Sequence, residues 1–301
     1  MLVTQAILPT VGTHEYSHRM SDVQPTYKGA QAADVEVQDW YDAGASDSGG
    51  EFFERIIERT YRQILRPGDT AVDCGANRGR HTYPMLNAVG PDGHIAAIEP
   101  LPTLARSLSR ELKDRGVLNC TIVPKAVGRE EAVRPFVWVG GDDSYSGLLK
   151  RDLPAELVNT TFSFRVAVTT LDTIAVCLPK TPRFLKMDLE GGEFHALLGA
   201  RRTLAAGQCF VVFENGRQSA ANTYGYQKEE LFALFEDLDY AVYDLFGRRF
   251  GAEQWQAAKM PWYTIAVAKS SADEKFVRDK QESLVRSVYI EWLSARGEVS
   301  E

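Results

Sequence analysis

Residues 72–80 have the most distinctive spacing of chemically useful side chains in the sequence. Asp73 lies near the end of an apolar run and is followed by Gly75 and Gly79. Glycine permits a tight turn between a strand and a helix, because it adopts backbone angles that a Cβ forbids. We expect this loop to approach a ligand closely, and the helix after it to present N–H groups to a polar or anionic part of that ligand.

A second acid, Glu99, ends the apolar run of residues 94–98. In α/β cofactor proteins, a carboxylate at the end of the second strand accepts hydrogen bonds from ribose hydroxyls. The loop lacks the Gly-x-Gly-x-x-Gly spacing of dinucleotide sites, since Asn77 stands in place of the middle glycine. Together these features favour an S-adenosylmethionine (SAM) site. Asp73 and its loop, including Gly75, Asn77 and Gly79, would hold the methionine part, and Glu99 would hold the ribose.

Further acids follow two later apolar runs. Asp188 and Glu190 follow one run, and Glu214 and Asn215 follow the next. Since parallel strands end at a shared edge of the sheet, these side chains should lie close together. One interpretation has Asp188, Glu214 and Asn215 holding Mg²⁺, which prefers oxygen ligands and would acidify a bound hydroxyl. The interpretation we favour is metal-free, with Asp188 or Glu190 as the general base.

The elements that would position these residues follow from hydrophobic periodicity. Apolar runs predict strands, and apolar residues at helical spacing predict helices. Alternating residues 134–139 and 162–168 predict two extra strands, with a polar turn at 142–147 that would cover the cofactor, touch the substrate or lie exposed. The main-sheet strands are predicted at 68–73, 94–98, 121–123, 183–187, 210–213, 241–243 and 263–268, the last two as an antiparallel pair, and helices at 51–65, 104–115 and 228–238.

With these segments in order, the chain resembles the FkbM family of class I SAM-dependent methyltransferases over about residues 55–268. The resemblance is carried by the glycine loop, Glu99-Pro100 and residues 125–128, and most specifically by residues 170–172 and 185–193. It implies an α/β fold with a Rossmann-like, seven-stranded mixed sheet and helices on both faces. It also implies that Lys125 and Ala126 line the adenine through backbone groups. Cys74 and Arg78 stand where the family usually has small or aliphatic residues, so we expect them to tune packing without abolishing binding.

Composition frames the rest of the interpretation. The 301 residues, 44% of them hydrophobic, suffice for one elaborated domain. We divide the chain into an N-terminal extension (1–50), a methyltransferase domain (51–270) and a C-terminal amphipathic helix (271–301). The apolar stripe of that helix should close over the substrate side or contact a second copy of the chain, and we favour the homodimer.

Charge and cysteine content bear on partners and location. The net charge of −7 argues against a nucleic-acid-binding surface, which needs a basic face. Four widely separated cysteines in apolar contexts predict buried free thiols in a reducing compartment. No apolar run is long enough for a membrane span, and the first residues lack the layout of a secretion signal. We therefore expect a cytoplasmic protein.

The predicted activity is SAM-dependent O-methylation of a hydroxyl on a sugar or secondary metabolite, so the partner would be a small-molecule or glycan acceptor. N-methylation is the alternative within the same chemistry, because an amine needs less help from a base. A non-catalytic SAM-binding protein would keep Asp73 and Glu99 but show no turnover. A nucleotide-binding oxidoreductase is a further alternative, against which the missing Gly-x-Gly-x-x-Gly pattern argues.

Overall fold

The computed structural model describes residues 37–46 and 50–298. Most of the predicted N-terminal extension therefore lies outside the described residues. The described strands are β1 (Thr70–Cys74), β2 (His94–Ile98), β3 (Cys120–Val123), β4 (Ala126–Val127), β5 (Ala132–Val139), β6 (Thr161–Thr169), β7 (Phe184–Met187), β8 (Phe210–Glu214), β9 (Tyr240–Asp244) and β10 (Tyr263–Ala268).

The helices cover both faces of the main sheet. They are α1 (Val37–Ala45), α2 (Glu51–Ile64), α3 (Thr82–Val89), α4 (Pro102–Asp114), α5 (Leu171–Val176), α6 (Glu193–Leu198), α7 (Arg201–Ala205), α8 (Arg217–Tyr224), α9 (Lys228–Asp237), α10 (Ala272–Phe276) and α11 (Glu282–Ala295). One apolar core lies between the sheet and α2, α3, α4 and α11, and a second lies between the sheet and α6 to α9.

The main sheet has seven strands in the order β3-β2-β1-β7-β8-β10-β9, and β10 runs antiparallel to both of its neighbours. The predicted mixed sheet, its strands and the antiparallel closing pair are confirmed. Every residue of β1 and β7 is buried, as expected for central strands with helices on both faces. The carboxyl ends of β1, β2, β7 and β8 meet at one edge, which is where open α/β sheets bind ligands.

The two extra strands predicted from alternation are also confirmed. They form β5 and β6, which pair antiparallel and join β4 in a separate three-stranded sheet. One face of this small sheet is apolar, with Phe136 and Val166 buried against Leu101 and Leu104 at the start of α4. The small sheet therefore stands beside the ligand-binding edge of the main sheet.

The predicted C-terminal helix consists of α10, a π-helical turn (Val277–Gln281) and α11. Its apolar stripe packs on α2 of the same chain: the Phe52 ring lies 5.8 Å from the ring centroids of both Tyr289 and Trp292. A second copy of the chain is therefore not needed to cover the stripe.

The cysteines depart from the prediction at one position. Cys74 and Cys209 are buried and Cys120 is partly buried, but Cys177 is exposed, and all four are free thiols. Cys177 directly follows α5 and precedes a loop. Its side chain is therefore exposed although its neighbours in the sequence are apolar. Within the described ranges, no helix is both long and apolar enough to cross a bilayer.

The close approach of β1 and β7 makes one glycine essential to the fold. Gly75 has a φ of 77°, and a Cβ at this position would collide with the carbonyl oxygen of Asp188. We expect Gly75→Ala to lower the free energy of unfolding by roughly 2–5 kcal/mol, because a left-handed alanine and an overpacked contact both destabilise. Urea unfolding followed by circular dichroism measures this change.

Gly116 offers a matched control. It has a similar φ of 69°, but a Cβ there would meet nothing within 4 Å. Gly116→Ala should therefore show only the backbone penalty of about 1–2 kcal/mol. Equal losses in the two variants would contradict a steric role for Gly75.

Candidate functional site

A cavity of about 360 Å³ opens at the carboxyl ends of β1, β2 and β7. Most of the residues that the sequence singled out line this cavity, and so lie together as predicted. Those lining it are Asp73, Gly75, Asn77, Glu99, Lys125, Ala126, Asp188 and Glu190. Gly79, Glu214 and Asn215 are not among the residues that line it.

The glycines of the loop serve the packing of the protein itself. A Cβ on Gly79, whose φ is 85°, would lie 2.8 Å from Leu108 and 2.9 Å from the Tyr83 ring. A Cβ at either glycine would meet protein atoms, so both glycines are needed for the packing of the loop itself, and the close approach of the loop to a ligand stays a prediction. Between them, Asn77 also adopts a left-handed conformation, with a φ of 46°.

Asp73 offers an unused acceptor inside the protein. Its Oδ2 accepts a hydrogen bond from the Thr82 hydroxyl at 2.6 Å. Its Oδ1 is buried and has no hydrogen-bond partner among the described residues. A buried carboxylate oxygen without a donor is unfavourable, so this atom suits a ligand that brings its own ammonium or hydroxyl donor.

Glu99 ties the glycine loop to the start of α4. One carboxylate oxygen accepts from the N–H of Asn77 at 2.9 Å, and the other accepts from the N–H of Leu101 at 2.8 Å. Each oxygen keeps a further lone pair for a ligand hydroxyl. Burial raises the pKa of Glu99 to about 7, although these two N–H groups favour the ionised form.

A buried lysine lies beneath the acidic side of the cavity. Lys186, on β7, is only 3% exposed, and its Nζ lies 3.2 Å from Oδ2 of Asp188. Burial alone would lower its pKa, but the charges of Asp188, Asp73 and Glu54 raise it above the ordinary value. The side chain therefore remains an ammonium group among three carboxylates.

A tyrosine connects Asp188 to a carboxylate on α2. The Tyr263 hydroxyl lies 2.9 Å from Oδ2 of Asp188 and 2.6 Å from Oε1 of Glu54. It carries one proton, so it donates to one carboxylate at a time. The other carboxylate oxygen of Glu54 pairs with the buried His81 ring. The pKa of Glu54 falls to about 2, because His81 and Lys186 outweigh the opposing effect of burial.

Sequence reasoning missed Glu54, His81 and Tyr263. Glu54 lies on a predicted amphipathic helix, and 209 residues separate it from Tyr263 on a predicted strand. Neither residue belongs to a local motif. An acid among the apolar positions of the predicted helix 51–65 is the signal that could have identified Glu54, since a buried acid needs a partner.

Glu190 is positioned by an arginine from another element. It follows β7 in a left-handed turn, with a φ of 57°, and forms an ion pair with Arg151. The Arg151 guanidinium also stacks on the ring of Tyr145, 5.2 Å from its centroid. Glu193 supports the turn by accepting the Leu189 N–H at 2.6 Å.

The donor set does not fit the Mg²⁺ site considered from the sequence. Carboxylate oxygens of Asp188, Glu190 and Glu214 lie within 4.8 Å of one another. Lys186 and Arg151 already neutralise the first two acids. Burial raises the pKa of Glu214 well above its usual range, and the charges of Asp188 and Glu193 act in the same direction.

The side chain of Asn215 is already engaged by neighbouring residues. Its side-chain oxygen accepts the Arg217 N–H at 3.1 Å, and its amide nitrogen donates to the Thr264 hydroxyl at 3.2 Å. Its amide groups are therefore used in holding the turn after β8 against β10.

The segment at residues 170–172 has a structural role. The Asp172 carboxylate accepts from the N–H groups of Arg202 at 3.0 Å and Thr203 at 2.8 Å, and so caps the start of α7. It holds α5 and α7 together rather than lining the cavity.

Comparison with known proteins places this geometry in a family. Residues 73–242 match the family model of the methyltransferase FkbM domain. A protein-L-isoaspartate O-methyltransferase from Ignicoccus hospitalis is 39% identical over 59 residues, covering 20% of this chain and 28% of that protein. Nocamycin O-methyltransferase from Saccharothrix syringae is 30% identical over 115 residues, covering 38% of this chain and 41% of that protein. This chain thus matches less than half of the length of either curated relative.

A similar solved structure is the crystal structure of a methyltransferase FkbM from Methylobacillus flagellatus. It is 17% identical, and the match covers 69% of this chain and 50% of that one, with a TM-score of 0.42.

The role of Lys186 generates a stability prediction. Lys186→Met should lower the free energy of unfolding by about 3–5 kcal/mol, because it leaves buried carboxylates without their cation. Adding Asp188→Asn should recover part of that loss, since it removes one of the uncompensated charges. Urea titration of the three proteins measures both effects. A Lys186→Met variant as stable as the unmodified protein would contradict the compensating role.

Proposed function

Because this chain belongs to the FkbM family of SAM-dependent methyltransferases, we propose that it methylates a hydroxyl of a sugar or another polar secondary metabolite. The observation that carries this proposal is the division of the cavity into an apolar end and a charged end.

The apolar end suits the cofactor. Glu99 would accept from the ribose hydroxyls, and the unpartnered Oδ1 of Asp73 would accept from the ammonium of the methionine part. Lys125 and Ala126 would line the adenine. The apolar side chains at this end support that orientation; they are Ile98, Leu101, Ala126, Val127, Phe136 and Leu148. When bound, SAM supplies an electrophilic methyl group on its sulfonium.

The charged end suits a polar acceptor. It lies on the β7 side of the cavity, and its lining is mostly charged: Glu51, Glu54, Arg80, Lys186, Asp188 and Glu190. Such a wall offers many hydrogen-bonding groups and little apolar surface. A hydroxyl-rich acceptor such as a sugar matches this chemistry better than a flat aromatic ring does.

Asp188 is the general base in this proposal. Lys186 and Tyr263 both contact its Oδ2, so Oδ1 remains to accept the proton of the acceptor hydroxyl. Asp188 would take up the proton that the acceptor hydroxyl loses when it is methylated. Glu190, held by Arg151, would orient the acceptor, and much of the rate gain would come from positioning the two reactants.

Transfer of a labelled methyl group tests the proposed function. Purified protein is incubated with SAM labelled on the methyl group, a panel of sugars and polyhydroxylated metabolites, and the matching amino derivatives. We expect label in the hydroxyl compounds. Label confined to the amines would favour N-methylation, and a protein that binds SAM but labels no member of the panel would contradict the proposal.

The cofactor assignment predicts a loss of affinity in Glu99→Ala. Hydrogen bonds to a charged acceptor are worth roughly 1.5–3 kcal/mol each, so SAM should bind at least about tenfold more weakly. Isothermal titration calorimetry measures the affinity, and circular dichroism checks the fold. Unchanged SAM affinity in a folded variant would contradict the assignment of Glu99 to the ribose site.

The same residue predicts a pH dependence. The raised pKa of Glu99, about 7, means that the carboxyl loses its proton as the pH rises through neutrality. Because the ionised form accepts hydrogen bonds from hydroxyls more strongly, SAM affinity should increase between about pH 6 and pH 8. Glu99→Gln should bind more weakly and lack this component of the pH dependence. Identical pH profiles for the two proteins would contradict the assignment.

The base assignment predicts metal-independent turnover. Activity on an acceptor found in the panel should survive a chelator, and Asp188→Asn should lower kcat by about 100-fold or more, as expected for loss of a general base. SAM affinity should change much less than kcat. Chelator-sensitive activity restored by Mg²⁺ would contradict the metal-free site.

A further inference from the structure

One wall of the cavity is formed by the segment between β5 and β6. Residues 140–151, here termed the cover segment, contribute Asp143, Ser144, Ser146, Gly147 and Leu148 to the lining. The opposite wall is the sheet edge with the glycine loop and Glu99. A ligand in the cavity would therefore lie between the cover segment and the main sheet.

The first end of the cover segment is tied to the glycine loop. Arg78, between Asn77 and Gly79, forms an ion pair with Asp143 at 3.0 Å. Asp143 is held from the other side by the Trp138 indole N–H, which donates to its Oδ1 at 2.7 Å. The Arg78 guanidinium supplies an ionic contact that an aliphatic side chain could not make.

The second end of the cover segment is tied to the turn after β7. Arg151 forms its ion pair with Glu190, and the two side chains are 34% and 17% exposed. Arg78 and Arg151 thus join the segment to the two sides of the ligand-binding edge, one beside the cofactor loop and one beside the acceptor end. Between them, Gly147 forms two backbone hydrogen bonds with Val137, at 2.8 and 3.1 Å.

We propose that Arg78 and Arg151 are positioning residues that fasten the cover segment over bound SAM and thereby set the rate of cofactor release. The proposal rests on the SAM site proposed above. With the segment in the position described here, bound SAM would lie beneath Asp143 to Leu148, and movement of the segment away from the sheet would widen its path of release. Each such movement separates Arg78 from Asp143, or Glu190 from Arg151. The strength of the two ion pairs depends on ionic strength. The strength of the backbone hydrogen bonds between Gly147 and Val137 does not.

Release of labelled SAM, chased with excess unlabelled SAM, tests the proposal without an acceptor. Arg78→Gln removes one charge, and Asp143→Asn removes the other while keeping an oxygen for the Trp138 N–H. Each should speed release roughly two- to fivefold, the range expected for an exposed ion pair. The double variant should release SAM no faster than either single variant, because both break the same contact. Arg151→Gln should speed release at least as much, since its ion pair is less exposed.

A matched control lies on the same small sheet. Arg134 forms an exposed ion pair with Glu130 at 2.9 Å, and neither residue lines the cavity. Arg134→Gln should leave SAM release unchanged. In the unmodified protein, raising the salt from about 0.01 M to about 1 M shortens the Debye length from about 30 Å to about 3 Å and should speed release. This salt effect should be smaller in Arg78→Gln.

The outcomes separate this proposal from the proposed function. Normal SAM affinity with unchanged release rates in Arg78→Gln and Arg151→Gln would overturn the fastening alone. Multiplying effects of Arg78→Gln and Asp143→Asn would overturn the pairing between them. An unmodified protein that binds no SAM by calorimetry would contradict the proposed cofactor site and the fastening together. Circular dichroism of each variant distinguishes faster release from loss of the fold.

Discussion

The buried ammonium of Lys186 is the interaction on which the site depends. Three carboxylates from three elements, Glu54, Asp73 and Asp188, lie near the carboxyl edge of the central strands, and all three act on its pKa. Like charges that lie close together and are partly shielded from water repel strongly. One central cation makes their assembly compatible with folding. The Tyr263 hydroxyl then links two of these acids with its single proton.

This constraint explains how the acids divide their roles. One carboxylate oxygen of Asp73 accepts a hydrogen bond from Thr82, and the other has no partner among the described residues. The Glu99 carboxylate accepts hydrogen bonds from two backbone N–H groups and has further lone pairs for a ligand. Both suit a neutral or cationic ligand that donates hydrogen bonds. Asp188 and Glu190 are each paired with a cation, which offsets the charge of the acidic group that they form with Glu214. In the proposed function, the same edge therefore separates cofactor binding from acceptor chemistry.

Much of the fold was predictable, because its signals are local. Short apolar runs bounded by turns located the main strands, and acids directly after those runs located Glu99 and Asp188. The charge partners were not predictable, since Tyr263 and Arg151 reach the site from distant elements without a motif. The hydrogen bonds of Asn215 were not predictable, because they depend on the turn that follows β8. The partner of the C-terminal apolar stripe was also open, as periodicity shows that a face must be buried but not against which surface.

A crystal structure of the protein with S-adenosylhomocysteine is the most direct test of the proposed site. Both ribose hydroxyls should lie within hydrogen-bonding distance of Glu99, and the amino group of the ligand should contact Oδ1 of Asp73. The sulfur should face the Asp188 side of the cavity, with the cover segment closed over the ligand. A ligand bound elsewhere, or bound with its ribose away from Glu99 and its sulfur away from Asp188, would contradict this assignment.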